Sequence, residues 1–231
     1  MKKHLLFLCS LLLTGSLLAQ DDTRSFDDFV RLSVSTSVKV ELIQSSSNKA
    51  EIWIEDGELE DLYTDQSGER LKIYWKSNDW GNKWNKRKAR IKLYYSDLEA
   101  IQVSAGGRVE GSETIRAEDF DVNASSGGGV DISLSADRVD ADVSSGGWVE
   151  VEGSTDRLNV DASSGGSFKG ADLKAKRVIA DASSGGNARV WATESIEAEA
   201  SSGGNVRYKG NPTKKDISSS KWSGGAVRAM D

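Results

Sequence analysis

The chain has 231 residues, a formal net charge of −6, one cysteine (Cys9) and one histidine (His4). That length suffices for one domain with a real core. The acidic balance argues against general nucleic-acid binding, whose footprint is a basic stripe, and a lone cysteine excludes an internal disulfide framework.

The first residues, M-K-K-H-L-L-F-L-C-S-L-L-L-T-G-S-L-L-A, place two lysines before an apolar run that ends in small residues. This is the composition of a secretory signal peptide over residues 1–19, and the run is shorter than the roughly 20 apolar residues of a spanning helix. Cleavage is expected after Ala19 or Gln20. Cys9 lies inside the run behind Leu8 and is not expected to carry a lipid. Export removes Lys2 and Lys3 with the only cysteine and histidine, leaving 28 basic against 36 acidic residues, a net charge of −8. The expected location is the periplasm, the outer membrane or the cell surface. No other segment is apolar enough to span a membrane.

Residues 20–231 read as one all-β unit. Short alternating runs predict strands at Leu32–Val34, Val38–Leu42, Ala50–Ile54, Leu71–Trp75 and Ala89–Tyr95, with a short helical turn over Glu58–Tyr63. Residues 26–100 thus form less regular N-terminal coils. Between Trp75 and Lys88 lies W-K-S-N-D-W-G-N-K-W-N-K-R-K, read as a protruding loop from its Asp, Gly and Asn residues. It carries Trp80, Lys83, Trp84, Lys86 and Arg87, a basic aromatic cluster on an acidic protein. Such a cluster can stack on sugars and attract anions; the competing expectation is that its tryptophans cap an open end of the sheet.

From residue 101 to the end the chain repeats. Ser-Ser-Gly-Gly begins at Ser125, Ser144, Ser163, Ser183 and Ser201, with looser copies at Ser104 and Ser223. A fixed period near 20 residues marks a solenoid. Each copy stands between two alternating runs, Val139-Ala141-Val143 before Ser144 and Val149-Val151 after it, for example. The motif is therefore the corner of a parallel β-solenoid with coils of ~20 residues. Glycine supplies the positive φ of the bend and permits close backbone approach. The serines are expected to bond locally or to form hydroxyl ladders between layers.

These corners do not read as catalytic. Phosphate-cradling glycine loops lead into a helix N-terminus, whereas each corner leads into a strand. Serine nucleophiles need a base, no histidine survives export, and no lysine recurs beside the serines. Outward positions of the upstream runs form two acidic columns: Asp121, Asp140, Asn159 and Glu197, and Asn123, Asp142, Asp161, Asp181 and Glu199. Like charges one layer apart repel by about 0.9 kcal/mol per pair in water, a tolerable cost for a solvated face. Calcium is the one ion such columns could attract, but the G-G-x-G-x-D loop is not matched at Gly127–Asp131. No cofactor or metal site is otherwise expected. Carboxylate spacing also fits a glycosidase, yet stacking imposes it on every column. Trp148 and Trp191 point outward without sharing a column, and complete the candidate ligand surface with the residues of the insert.

The corners, together with Y-K-G-N-P (Tyr208–Pro212), S-G-G (Ser223–Gly225), F-D-D-F-V-R-L-S-V (Phe26–Val34) and V-K-V-E-L (Val38–Leu42), resemble the auto-transporter adhesin head GIN domain, a domain of unknown function. The resemblance implies a right-handed parallel β-helix on an exported bacterial protein, with an adhesin-like or scaffolding role and a glycan or envelope protein as partner. It brings no catalytic motif. The Trp-rich insert departs from the pattern, and without a translocating β-barrel segment autotransport by this chain is not expected. A polysaccharide-active β-helix enzyme using Asp, Glu, Lys and Arg is the alternative.

Overall fold

The computed structural model describes residues 20–76, 87–219 and 224–230. Residues 1–19, read above as a signal peptide, and Trp80, Lys83, Trp84 and Lys86 lie outside these residues. The described chain is a β-solenoid of about seven turns. Its regular part comprises β9 (Arg108–Ala124), β10 (Gly129–Val143), β11 (Trp148–Ala162), β12 (Ser167–Ala182) and β13 (Asn187–Ala200), then β14 (Asn205–Lys209), β15 (Lys214–Ser219) and β16 (Ala226–Ala229). Every pairing among them is parallel. Each long strand bends partway, so the inward phase stops and restarts. In β10, Leu134 and Ala136 are buried, Asp137 and Arg138 are exposed in succession, and Val139 resumes the interior.

Apolar residues stack into files inside the coil. Phe120, Val139, Leu158, Val178 and Ile196 form one, and Ala124, Val143, Ala162, Ala182 and Ala200 another directly before the corner. The interior is thus a single continuous core shared by successive turns, as expected where one coil alone cannot offset its ordering entropy.

At the corner, Ser126 and Gly127 both take positive φ, +48° and +74°, and the Gly128 amide donates to the Ser125 carbonyl at 2.8 Å. Positive φ at both central residues is the type I′ arrangement. Serine therefore shares the left-handed conformation, and the two glycines serve different ends. Gly127 meets the φ requirement in open space, whereas a Cβ on Gly128 would come 2.6 Å from the Val103 carbonyl oxygen of the preceding coil. Corner-to-corner cohesion is carried by the backbone: the Ser125 amide donates to the Val103 carbonyl (2.9 Å) and the Gly127 amide to the Ser145 carbonyl (3.2 Å), and the pattern recurs coil after coil.

The N-terminal strands are β1 (Asp22–Ser25), β2 (Arg31–Val34), β3 (Val38–Gln44), β4 (Lys49–Asp56), β5 (Leu62–Ser67), β6 (Arg70–Trp75), β7 (Lys88–Tyr95) and β8 (Ala100–Val103). The five strands anticipated here all form. Two features differ from the simple picture of rungs added in chain order. The β2–β3 coil is second in the stack: β2 pairs with both β6 and β8, and β3 with both β7 and β9. In addition, β1, β4 and β5 are antiparallel to their neighbours. The helical turn shrinks to a 3-10 turn at Leu59–Asp61, and residues from Leu62 onward form β5, paired to β6 through a turn containing Gly68. An antiparallel edge interrupts the parallel screw, so β1 and β5 close the N-terminal sheet edges without presenting another corner for addition.

Candidate ligand-binding surface

Of the insert residues singled out above, only Arg87 is described. It donates to Asp61 Oδ2 at 2.7 Å and to the Lys76 carbonyl at 2.8 Å, and its guanidinium lies 5.9 Å from the Trp75 ring centroid. Its hydrogen bonds tie the base of the insert to the coil wall. Trp148 and Trp191 remain in separate columns. The Trp148 ring packs over Gly129 of the preceding coil, with Arg108 4.8 Å and Lys169 5.5 Å from its centroid. Trp191 stands between its strand partners Lys174 and Lys209, whose ammonium groups lie 5.7 and 4.4 Å from its ring.

The acidic columns form as read, with Ile179 filling the gap between Asn159 and Glu197. Asn159 donates to Asp140 Oδ1 at 2.6 Å, and Arg138 pairs with the same carboxylate at 2.8 Å, which relieves that column. The other column keeps its repulsion. Partial desolvation, then the charges of Asp161, Asp140 and Asp121, push the Asp142 carboxyl above its ordinary value. Asp181 is raised in the same way, with Glu199 and Asp161 the nearest contributors after desolvation. Because the shift appears at both Asp142 and Asp181, each a strand partner of Asp161, it reflects stacking and does not mark one carboxyl as a catalytic acid. Among the described residues no group of three carboxylates, histidines or cysteines is arranged to hold a metal ion.

The main asymmetry lies on another face. The third residue after each Gly-Gly, preceded by Glu41 of β3, forms one register-matched column: Glu41, Glu110, Asp131, Glu150, Lys169, Arg189, Arg207, Arg228. Four acids are followed by four bases. In the acidic half, Glu110 is bonded by Lys39 at 2.8 Å and by Arg108. Burial pushes its carboxyl up, but these cations outweigh it and hold the group below its usual value. At the junction Lys169 pairs with Glu150 at 2.9 Å. In the basic half, Arg189, Arg207 and Arg228 are exposed and have no carboxylate within ion-pair distance among the described residues.

Two grooves follow this column. One, of about 530 Å³, runs from Glu110 past Glu150 to Arg189. The other, of about 180 Å³, is bounded by Lys169, Arg189 and Arg207 on one side and Ser167, Asn187 and Asn205 on the other. The amides of Asn187 and Asn205 donate to the Gly185 and Gly203 carbonyls, 3.0 and 3.1 Å away, which orients both side chains from the corner. Two residues beyond Arg189 on the same strand stands Trp191, and two beyond Arg207 stands Lys209. Trp191, an expected member, thus belongs to a cationic patch whose arginines the sequence reading passed over. The signal was available: aligning the corners and reading the third residue after each Gly-Gly recovers the column.

A family model described as "putative auto-transporter adhesin, head GIN domain" matches residues 28–212. Among solved structures, an adhesin of Bacteroides fragilis, described as putative, superimposes with a TM-score of 0.80 at 22% identity, covering 90% of this chain and 96% of that one. A protein of Parabacteroides distasonis described as a putative lipid binding protein gives 0.63 at 23% identity, covering 91% and 96%. An adhesin of Parabacteroides merdae, also described as putative, gives 0.59 at 14% identity, covering 91% and 95%. These similarities establish the fold; no curated protein matches. With 28–212 spanning most of its length, the chain belongs to the auto-transporter adhesin head GIN domain family.

Proposed function

We propose that the protein is exported to the cell envelope and works there as a non-enzymatic, adhesin-like binding module for a glycan or another surface molecule. The observation that carries this reading is the exposed arginine ladder. Neighbouring cations one strand spacing apart repel by roughly 0.9 kcal/mol in water, and for Arg189, Arg207 and Arg228 no carboxylate among the described residues offsets that cost. A like-charge array kept on a rigid scaffold suits recognition of an external anion. Family membership and the leader-like composition of residues 1–19 support the envelope setting, and among the described residues no helix is long and apolar enough to cross a membrane. The grooves are bordered mainly by charged and amide side chains, which favours a polar surface ligand over a buried acyl chain.

The test is protease shaving of intact cells, with detection of this chain, combined with binding of the purified mature protein to cells and envelope fractions. Surface accessibility and saturable binding are expected. A chain protected from protease and inert toward every fraction would remove the adhesin-like reading.

A further inference from the structure

We propose that the C-terminal coils carry a binding site for an acidic polysaccharide, laid along the solenoid axis over Lys169, Arg189, Arg207 and Arg228 with Trp191 at its side. This inference rests on the binding-module reading and names its ligand class.

The geometry argues first for a polymer. Four cations stand on four consecutive turns at the ~4.8 Å spacing of paired strands, so the ladder spans about 14 Å. A point anion could engage one or two guanidinium groups, whereas a chain with a repeating negative charge engages all three arginines, with Lys169, paired to Glu150, at the edge of the site. The step between cations is close to the advance of one sugar residue along an extended glycan, which keeps charge and cation in phase.

The flanking groups argue for sugar. Asn187 and Asn205 line the edge of the groove, where their amide oxygens can accept hydrogen bonds from hydroxyls. Trp191 offers an aromatic surface two residues beyond Arg189 on the same strand, and its cationic neighbours Lys174 and Lys209 extend the positive field. Nucleic acid would meet the same ladder; the chain's net charge of −6 and Glu110, Asp131 and Glu150 on the same column confine any polyanion to the C-terminal turns, where the amides of Asn187 and Asn205 favour a hydroxyl-rich chain over a phosphodiester. The site therefore suits a glycan with carboxylates or sulfates on spaced sugars.

A second copy of the chain is the competing occupant, since the acidic half of one column could face the basic half of another in antiparallel fashion. It is the weaker fit, because Lys39 and Arg108 already neutralise Glu110.

The experiment is equilibrium binding of the mature chain to polygalacturonate, dextran sulfate, uncharged dextran and polyphosphate, with sedimentation or light scattering of the protein alone at low and high salt. The expected result is binding to one or both acidic polysaccharides, weakened by salt, with no affinity for dextran. R189Q/R207Q should weaken it about tenfold, since two exposed charge pairs are worth up to about 1 kcal/mol each. R157Q/R177Q, on another face, should leave it within twofold, and W191A should weaken polysaccharide binding more than polyphosphate binding. The carboxylate and sulfate arms separate the two acid chemistries. Equal loss from R157Q/R177Q, an unchanged R189Q/R207Q, or polyphosphate binding as tight and indifferent to W191A would overturn the site. So would a dimer at low salt that R189Q/R207Q dissociates without any polysaccharide binding. If the wild type adheres to envelope fractions while R189Q/R207Q adheres equally, the site fails and the adhesin-like function stands; failure to adhere at all removes the function itself.

Discussion

The indole of Trp148 occupies the space that a side chain at Gly129, its strand partner one coil earlier, would fill. The third glycine of Ser125–Gly129 therefore belongs to a packing pair and not to the bend. G129A is expected to displace the ring and cost roughly 1–3 kcal/mol, the usual scale of overpacking. In the W148A background the same change should be nearly neutral, and a double-mutant cycle by chemical denaturation would read the coupling.

The two corner glycines should respond differently. Gly146 has φ +72° and open space around its missing Cβ, so G146A should cost about 1–2 kcal/mol from conformation alone. Gly147 lies against the Ala124 carbonyl of the coil before it, so G147A must shift backbone and should cost more than G146A. S145G relaxes a serine held at φ +50° and should be neutral or slightly stabilising. Urea midpoints for the three variants would establish this order.

Asp142 gives a pH signature. Its folded carboxyl is raised by partial desolvation and then by Asp161, Asp140 and Asp121, so above that raised value the native state bears a repulsion the unfolded chain lacks. D142N should stabilise at pH 7 by a few tenths to about 1 kcal/mol, less in salt. As pH falls through the folded carboxyl's raised value toward the unfolded value near ~3.9, the native wild type takes up its proton first and regains stability. The advantage of D142N should fade across that window. An advantage independent of pH would show that charge is not the cause.

Arg87 tests the role of the insert's base. Its bonds to Asp61 and the Lys76 carbonyl tie two segments of the coil wall. R87A should lower stability by roughly 1–3 kcal/mol, the scale of hydrogen bonds to charged groups, and leave polysaccharide affinity unchanged. Thermal melts beside the binding assay separate the two effects.

Much of the architecture was legible because its signals are local. Positive-φ corners select Gly at a fixed position, and period-two alternation declares which side chains face inward. Strand β5 was missed because Leu62–Ser67 follows a 3-10 turn and its pairing to β6 is antiparallel, which alternation alone does not specify. Likewise, nothing within Arg31–Gln44 marks it as the second coil of the stack. That order depends on which edges β6, β7, β8 and β9 leave available, and is settled only when all of them are present.

The candidate site divides along the same line. The chain alone determined the charge column, since each member stands at a constant count from its corner and register is held by corner hydrogen bonds. The tertiary structure alone decided that Lys174 joins Trp191 and Lys209, because the β12–β13 register slips between Gly170 and Lys174 and counting from the corner no longer identifies neighbours. Sterically defined turns are written residue by residue, whereas the partner across a slipped ladder is chosen by packing summed over the whole coil.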